Sequence, residues 1–155
     1  MTDPRRARRR RAFTLIEMMA VIAIIGLLIA LIGPAIAGML DNGRITTTEA
    51  QIRQLEAALT SYQMDNGRYP TTEQGLRALI EKPTGAPEPY RWRPGGYLAR
   101  REIPRDGWKG EIQYASPGQH NPHAFDVWSL GADGQPGGTD ADADIGNWST
   151  AEAEE

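Results

Sequence analysis

The feature that most constrains this chain is an apolar run from Phe13 to Leu40, FTLIEMMAVIAIIGLLIALIGPAIAGML. From Met18 to Leu40 no side chain carries a charge or a strong hydrogen-bonding group. A helix of about 20 apolar residues crosses a bilayer core, whereas the apolar region of a cleavable secretory signal is only about 7–15 residues long. The run therefore predicts a transmembrane helix. Arg5, Arg6, Arg8, Arg9, Arg10 and Arg11 precede it, and such a block stays cytoplasmic while the C-terminal part crosses. Glu17 alone breaks the apolar pattern. A carboxylate at membrane depth is costly and marks function by default.

Charge divides the chain at the same place. Residues 1–12 hold six of the 17 basic and one of the 20 acidic residues, which leaves 11 basic against 19 acidic beyond them. So acidic an exported part argues against a nucleic-acid partner. With no cysteine there is no disulfide, and two histidines offer little for a triad or a zinc site. The chain has no G-x-S-x-G, no phosphate loop and no zinc signature. It does not read as an enzyme.

The junction Ala12-Phe13-Thr14-Leu15-Ile16-Glu17 resembles the type IV pilin and pseudopilin family. The resemblance implies a leader cut by a prepilin peptidase between Ala12 and Phe13, with Phe13 then N-methylated and Glu17 fifth in the mature chain. The usual residue before the cut is glycine; Ala12 is small enough to serve. Physically, a first-turn carboxylate is favoured by the helix macrodipole, yet at membrane depth it needs a partner. The freed ammonium of Phe13, its own or that of a neighbouring subunit, is the nearest candidate. Glu17 then sets register in a polymer, as one buried polar group does in coiled coils. The alternative is a headgroup-level carboxylate beside Arg11. Pro34, with Gly33 before it and Gly38 after, loosens the preceding turn, which membrane helices tolerate. Pilin-like subunits carry a proline at this distance, and the resemblance implies local melting there in the filament.

Beyond Asp41-Asn42-Gly43 the pattern becomes amphipathic. Ile45, Ile52, Leu55, Leu59 and Tyr62 recur at steps of seven, three, four and three, one helix face, until Asn66-Gly67 stops the helix. Thr71 and Gln74 form a capping box for a two-turn helix whose apolar side is Leu76, Leu79 and Ile80. Trp92 and Tyr97 are expected to seal the edge of the head. Residues 111–116 and 124–129 alternate as half-buried strands, joined through 117–122. His120 and His123 read as exposed loop residues rather than metal ligands. The words DNGRYPTTEQGL (65–76) and SPGQH (116–120) resemble the major pseudopilin family of type II secretion systems, the general secretion pathway protein G family. The turn Asp106-Gly107-Trp108-Lys109-Gly110 departs from the Asp-Pro-Trp-Gly usual there.

The segment 129–148, SLGADGQPGGTDADADIGNW, gathers Asp133, Asp140, Asp142 and Asp144 in a glycine-rich loop, and no Lys or Arg follows Lys109. Such a loop repels itself, and a hard cation bound by carboxylates and carbonyls would hold it. A solvated acidic tail is the other reading. An EF-hand is excluded: counting from Asp140, Ala151 stands where the bidentate Glu belongs and Gly146 is one place late. The resemblance implies one calcium ion, bound by the side chains of Asp133, Asp142 and Asp144 and the backbone oxygens of Leu130 and Gln135. Asp140 supplies nearby charge, and Trp148 is expected to pack back and close the loop.

The expectation is an α+β, pilin-like fold. A long N-terminal helix, half transmembrane and half amphipathic, packs on a small antiparallel sheet with a C-terminal calcium loop. Its parts are a cleaved leader (1–12), a transmembrane and polymerisation helix (13–40), a periplasmic head (41–148) and an acidic disordered end (149–155). The resemblance implies a single-pass inner-membrane subunit, N-terminus cytoplasmic. It would polymerise with its own copies into a periplasmic pseudopilus that drives folded proteins out. Its partners would be minor pseudopilins, an inner-membrane assembly platform and the prepilin peptidase. The alternatives are a type IV pilus subunit, for adhesion or DNA uptake, and a signal-anchored calcium-binding protein.

Overall fold

The computed structural model describes residues 14–148. The leader, the Ala12/Phe13 junction and the acidic end lie outside the described residues. The chain forms two compact units, Met1–Met39 and Leu40–Glu155, and one helix, α1 (Leu15–Asn66), contributes to both without a break at Pro34.

Within the first unit, Leu15–Ile32 is long and apolar enough to cross a membrane, and none of it is buried inside the chain. The helix starts on Thr14, whose Oγ1 accepts the N–H of Glu17 at 3.3 Å. Thr14 and Glu17 thus stand at the spacing of a helix-start capping box, and the Thr14 half of it is made.

The second unit is built on the amphipathic stretch of α1. Ile52, Leu55, Leu59 and Tyr62 are buried, as their spacing predicts, and Ile45 packs at the edge. Gly67, at φ 75, ends the helix. Thr71 and Gln74 close their box reciprocally: the Thr71 N–H donates to Gln74 Oε1 (3.1 Å) and the Gln74 N–H to Thr71 Oγ1 (3.2 Å). The box caps a tight turn, and only a single 3-10 helix, Leu76–Leu79, follows instead of two α-turns. Leu76, Ala78 and Leu79 still bury against the α1 stripe. Trp92 and Tyr97 seal this edge. The Trp92 indole donates to Ala78 O at 2.8 Å, and the Tyr97 hydroxyl accepts from Asn66 Nδ2 at 2.9 Å.

The other side of the core is an antiparallel sheet of three strands, β1 (Gln113–Ala115), β2 (Asp126–Ser129) and β3 (Ile145–Gly146), in that order. Tyr114 pairs with Val127, and Ser129 with Ile145. The predicted strands exist but are shorter than their alternating stretches. In β2 the alternation fails: Asp126 and Ser129 are buried along with Val127, and Trp128 is half-exposed. Buried polar side chains of this kind persist because each is hydrogen-bonded.

Candidate functional site

Two regions carry chemistry, the start of α1 and the loop after β2. At the first, Glu17 is exposed on the apolar helix, one turn from Thr14. Its predicted partner, the Phe13 amine, lies outside the described residues.

The loop leaves β2 at Leu130 and returns at β3. Gly131 makes the first bend. It is buried, at φ 66, and a Cβ there would stand 2.7 Å from the Asp142 carbonyl. No other residue type could bring the two limbs so close. Above this pinch the Ala132 N–H donates to Ala141 O at 2.9 Å. The Asp133 carboxylate is exposed and accepts the N–H of Gln135 at 3.0 Å. Asp140, at φ 55, opens a short 3-10 turn, Asp140–Asp142, and both of its acids are exposed.

Asp144 differs from these. Its Oδ2 accepts the N–H of Gly137 at 3.0 Å, and its Oδ1 is buried with no hydrogen-bond partner. A buried carboxylate oxygen without a donor is what a cation would satisfy. Leu130 and Asp144 line one cleft of about 360 Å³ with Pro136, Trp128 and Trp148. Among the described residues, however, no three of His, Cys, Asp and Glu converge closely enough to hold a metal ion. Asp144 thus offers one oxygen suited to a hard cation, but Asp133 and Asp142 are not drawn in beside it.

Sequence reasoning missed how this loop is anchored. Trp148 packs back as expected, and the reason lies in the connector between β1 and β2. The His120 ring stacks on it, with centroids 3.8 Å apart and planes 15° from parallel. The His120 N–H donates to the buried Asp126 carboxylate at 2.8 Å, and Asn121 donates to it from its N–H (3.0 Å) and its side chain (2.9 Å). Burial alone would raise the Asp126 pKa, but these donors, with the N–H of Gln119, hold it below the ordinary carboxylate value. His123 is exposed.

The comparisons with known proteins fit this architecture. Residues 35–148 match the family described as type II secretion system (T2SS), protein G, and residues 7–33 match the prokaryotic N-terminal methylation motif. The type II secretion system core protein G of Pseudomonas aeruginosa is 48% identical over 141 residues, 91% of this chain and 96% of the relative. That of Vibrio cholerae is 44% identical over 144 residues, 93% of this chain and 95% of the relative. The crystal structure of the major pseudopilin from the type 2 secretion system of enterohaemorrhagic Escherichia coli superposes with a TM-score of 0.63. It is 44% identical and covers 73% of this chain and 93% of its own. The chain belongs to the protein G family of the type II secretion system, a family of pseudopilins whose role is structural rather than catalytic.

Proposed function

We propose that this chain is the major subunit of a type II secretion pseudopilus. It is held in the bacterial inner membrane by α1 until it is drawn into a periplasmic polymer of its own copies, whose growth exports folded proteins. The observation that carries this reading is the apolar half of α1, uncovered from Leu15 to Ile32, on a chain whose other unit has a complete core of its own. Such a surface stays out of water only in lipid or against like helices. Glu17 is the one acid on it, and pairing with a neighbour's freed Phe13 amine would give the polymer its register. Minor pseudopilins, an assembly platform and the prepilin peptidase are the partners this role requires.

The loop 130–144 is proposed to hold calcium. The buried, unpartnered Asp144 Oδ1 supports this, since calcium takes oxygens from carboxylates and backbone carbonyls. Asp133, Asp142, Leu130 and Gln135 would complete the set. The ion would fix a loop with little apolar content, where a disulfide is impossible without cysteine.

Deletion of the gene in its host tests the central role. Trapped secreted enzymes in the periplasm, restored by the intact chain, are expected. Normal secretion with loss of surface pili would transfer the chain to the pilus reading.

A further inference from the structure

Thr48 is fully buried on α1, at 0% exposure. Its hydroxyl donates to Arg44 O at 2.9 Å and accepts the N–H of Gly107 at 2.9 Å. The neighbouring Asp106 is 6% exposed. Its Oδ1 takes the N–H groups of Trp108 (3.0 Å) and Gly110 (2.6 Å), and its Oδ2 takes the Ser129 hydroxyl. Ser129, at 0% exposure, ends β2, and its Oγ accepts the N–H of Gly131. Gly131 rests on the Asp142 main chain. A run of buried and part-buried hydrogen bonds thus leads from α1 through the 106–110 turn and β2 to the first limb of the acidic loop, where Gly131 packs on the second. Loss of a partner within such a run leaves a buried group unsatisfied, so the members hold or yield together.

Gly107, which stands where the resembled Asp-Pro-Trp-Gly pattern has proline, makes the first link. Proline at 107 would have no N–H for Thr48 to accept, and a Cβ there would stand 2.4 Å from Arg44 O. Lys109 in turn takes φ 70 where the pattern has glycine.

We infer that Thr48, Asp106 and Ser129 form a relay through which α1 and the loop 130–144 set each other's conformation. Thr48 is a positioning residue for a loop it does not touch. Coupling of this kind is reciprocal. Packing α1 against neighbouring subunits orders the loop, and an ion in the loop tightens the Arg44–Thr48 turn of α1. The ion's part rests on the calcium reading above; the relay does not.

Amide hydrogen exchange on the full chain in detergent micelles tests it. In EDTA, Thr48→Val is expected to speed exchange at Gly131 and Ala132 by about tenfold, within the range common for coupled sites, while Thr48→Ser leaves it unchanged. A folded Thr48→Val chain with wild-type exchange at both amides would overturn the relay. If Thr48→Val does not fold, Ser129→Ala reads the relay from its other end. Faster exchange at Gly107 supports it, and unchanged exchange there overturns it. Calcium is then added to the wild type. Slowed exchange at both Gly131 and Gly107 is expected. No slowing in the loop would sink the calcium reading and leave the relay to the EDTA comparison, whereas slowing in the loop without slowing at Gly107 would sink the ion's part alone.

Discussion

The imidazole of His120 lies flat on the indole of Trp148, with ring centroids 3.8 Å apart. The connector between β1 and β2 therefore clamps the segment after β3, and with it the end of the acidic loop. A stacked aromatic pair adds about 0.5–1.5 kcal/mol beyond its area, so His120→Ala is expected to lower Tm by several degrees. Trp148→Ala should cost more, since its ring also covers Gly146 and lies near Trp128. Thermal melts of both, with the double variant less destabilised than the sum, would establish the clamp; strict additivity would dissolve it.

Acid should loosen the same connector. The Asp126 carboxyl is held below its ordinary pKa by the donors of His120, Asn121 and Gln119. Its contribution is then present in full above the unfolded value, about 3.9, and disappears as pH falls through the lowered folded value. Asp126→Asn is expected to flatten the acid limb of a Tm-against-pH curve and to cost about 1–3 kcal/mol at pH 7. An acid limb as steep as that of the wild type would assign the acid sensitivity elsewhere.

A cation in the loop predicts a selective shift in stability. A ligand at about 100 times its Kd adds about 2.7 kcal/mol, several degrees for a domain of this size. Millimolar calcium should raise the Tm of a fragment from Asp41 onward relative to EDTA and magnesium, and Asp144→Ala or Asp133→Ala should abolish the rise. Equal melts in calcium and EDTA would reduce the loop to a solvated acidic segment.

Cleavage at Ala12/Phe13 would free the amine with which Glu17 is proposed to pair. In a host with the prepilin peptidase, the intact mass should match a chain that begins at methylated Phe13. Glu17→Ala should insert in the membrane normally and form no filaments. An unprocessed mass, or filaments from the Ala variant, would remove Glu17 from assembly.

The helix and its stripe were legible because periodicity survives in a single sequence. Ile52, Leu55, Leu59 and Tyr62 are buried where their spacing puts them. Thr48 falls on the same face, three after Ile45 and four before Ile52, yet a hydroxyl in a run of three threonines gives no sign of burial. The burial of Asp106 and Ser129 carries no local sign either, since the contact that joins them spans distant segments. β3 is two residues long, too short for any pattern. The two-turn helix after Thr71 failed because Gly75 divides the capped turn from Leu76–Leu79. In the candidate site, composition gave the acids but not which of them turns inward. Only Asp144 has a buried, unpartnered oxygen, and that depends on how the loop folds over Gly131.

Asn147 holds the closing position of the head. Its N–H donates to Val127 O, its side-chain oxygen accepts the Val127 N–H and its side-chain amide donates to Phe125 O. It lies beyond every element it fastens, so none of these contacts can form until the chain has been made past β3. The sheet that covers the apolar stripe of α1 is therefore locked by a residue made long after the stripe itself. Premature termination before Asn147 would therefore leave Val127 and Phe125 without these partners and the head unfinished.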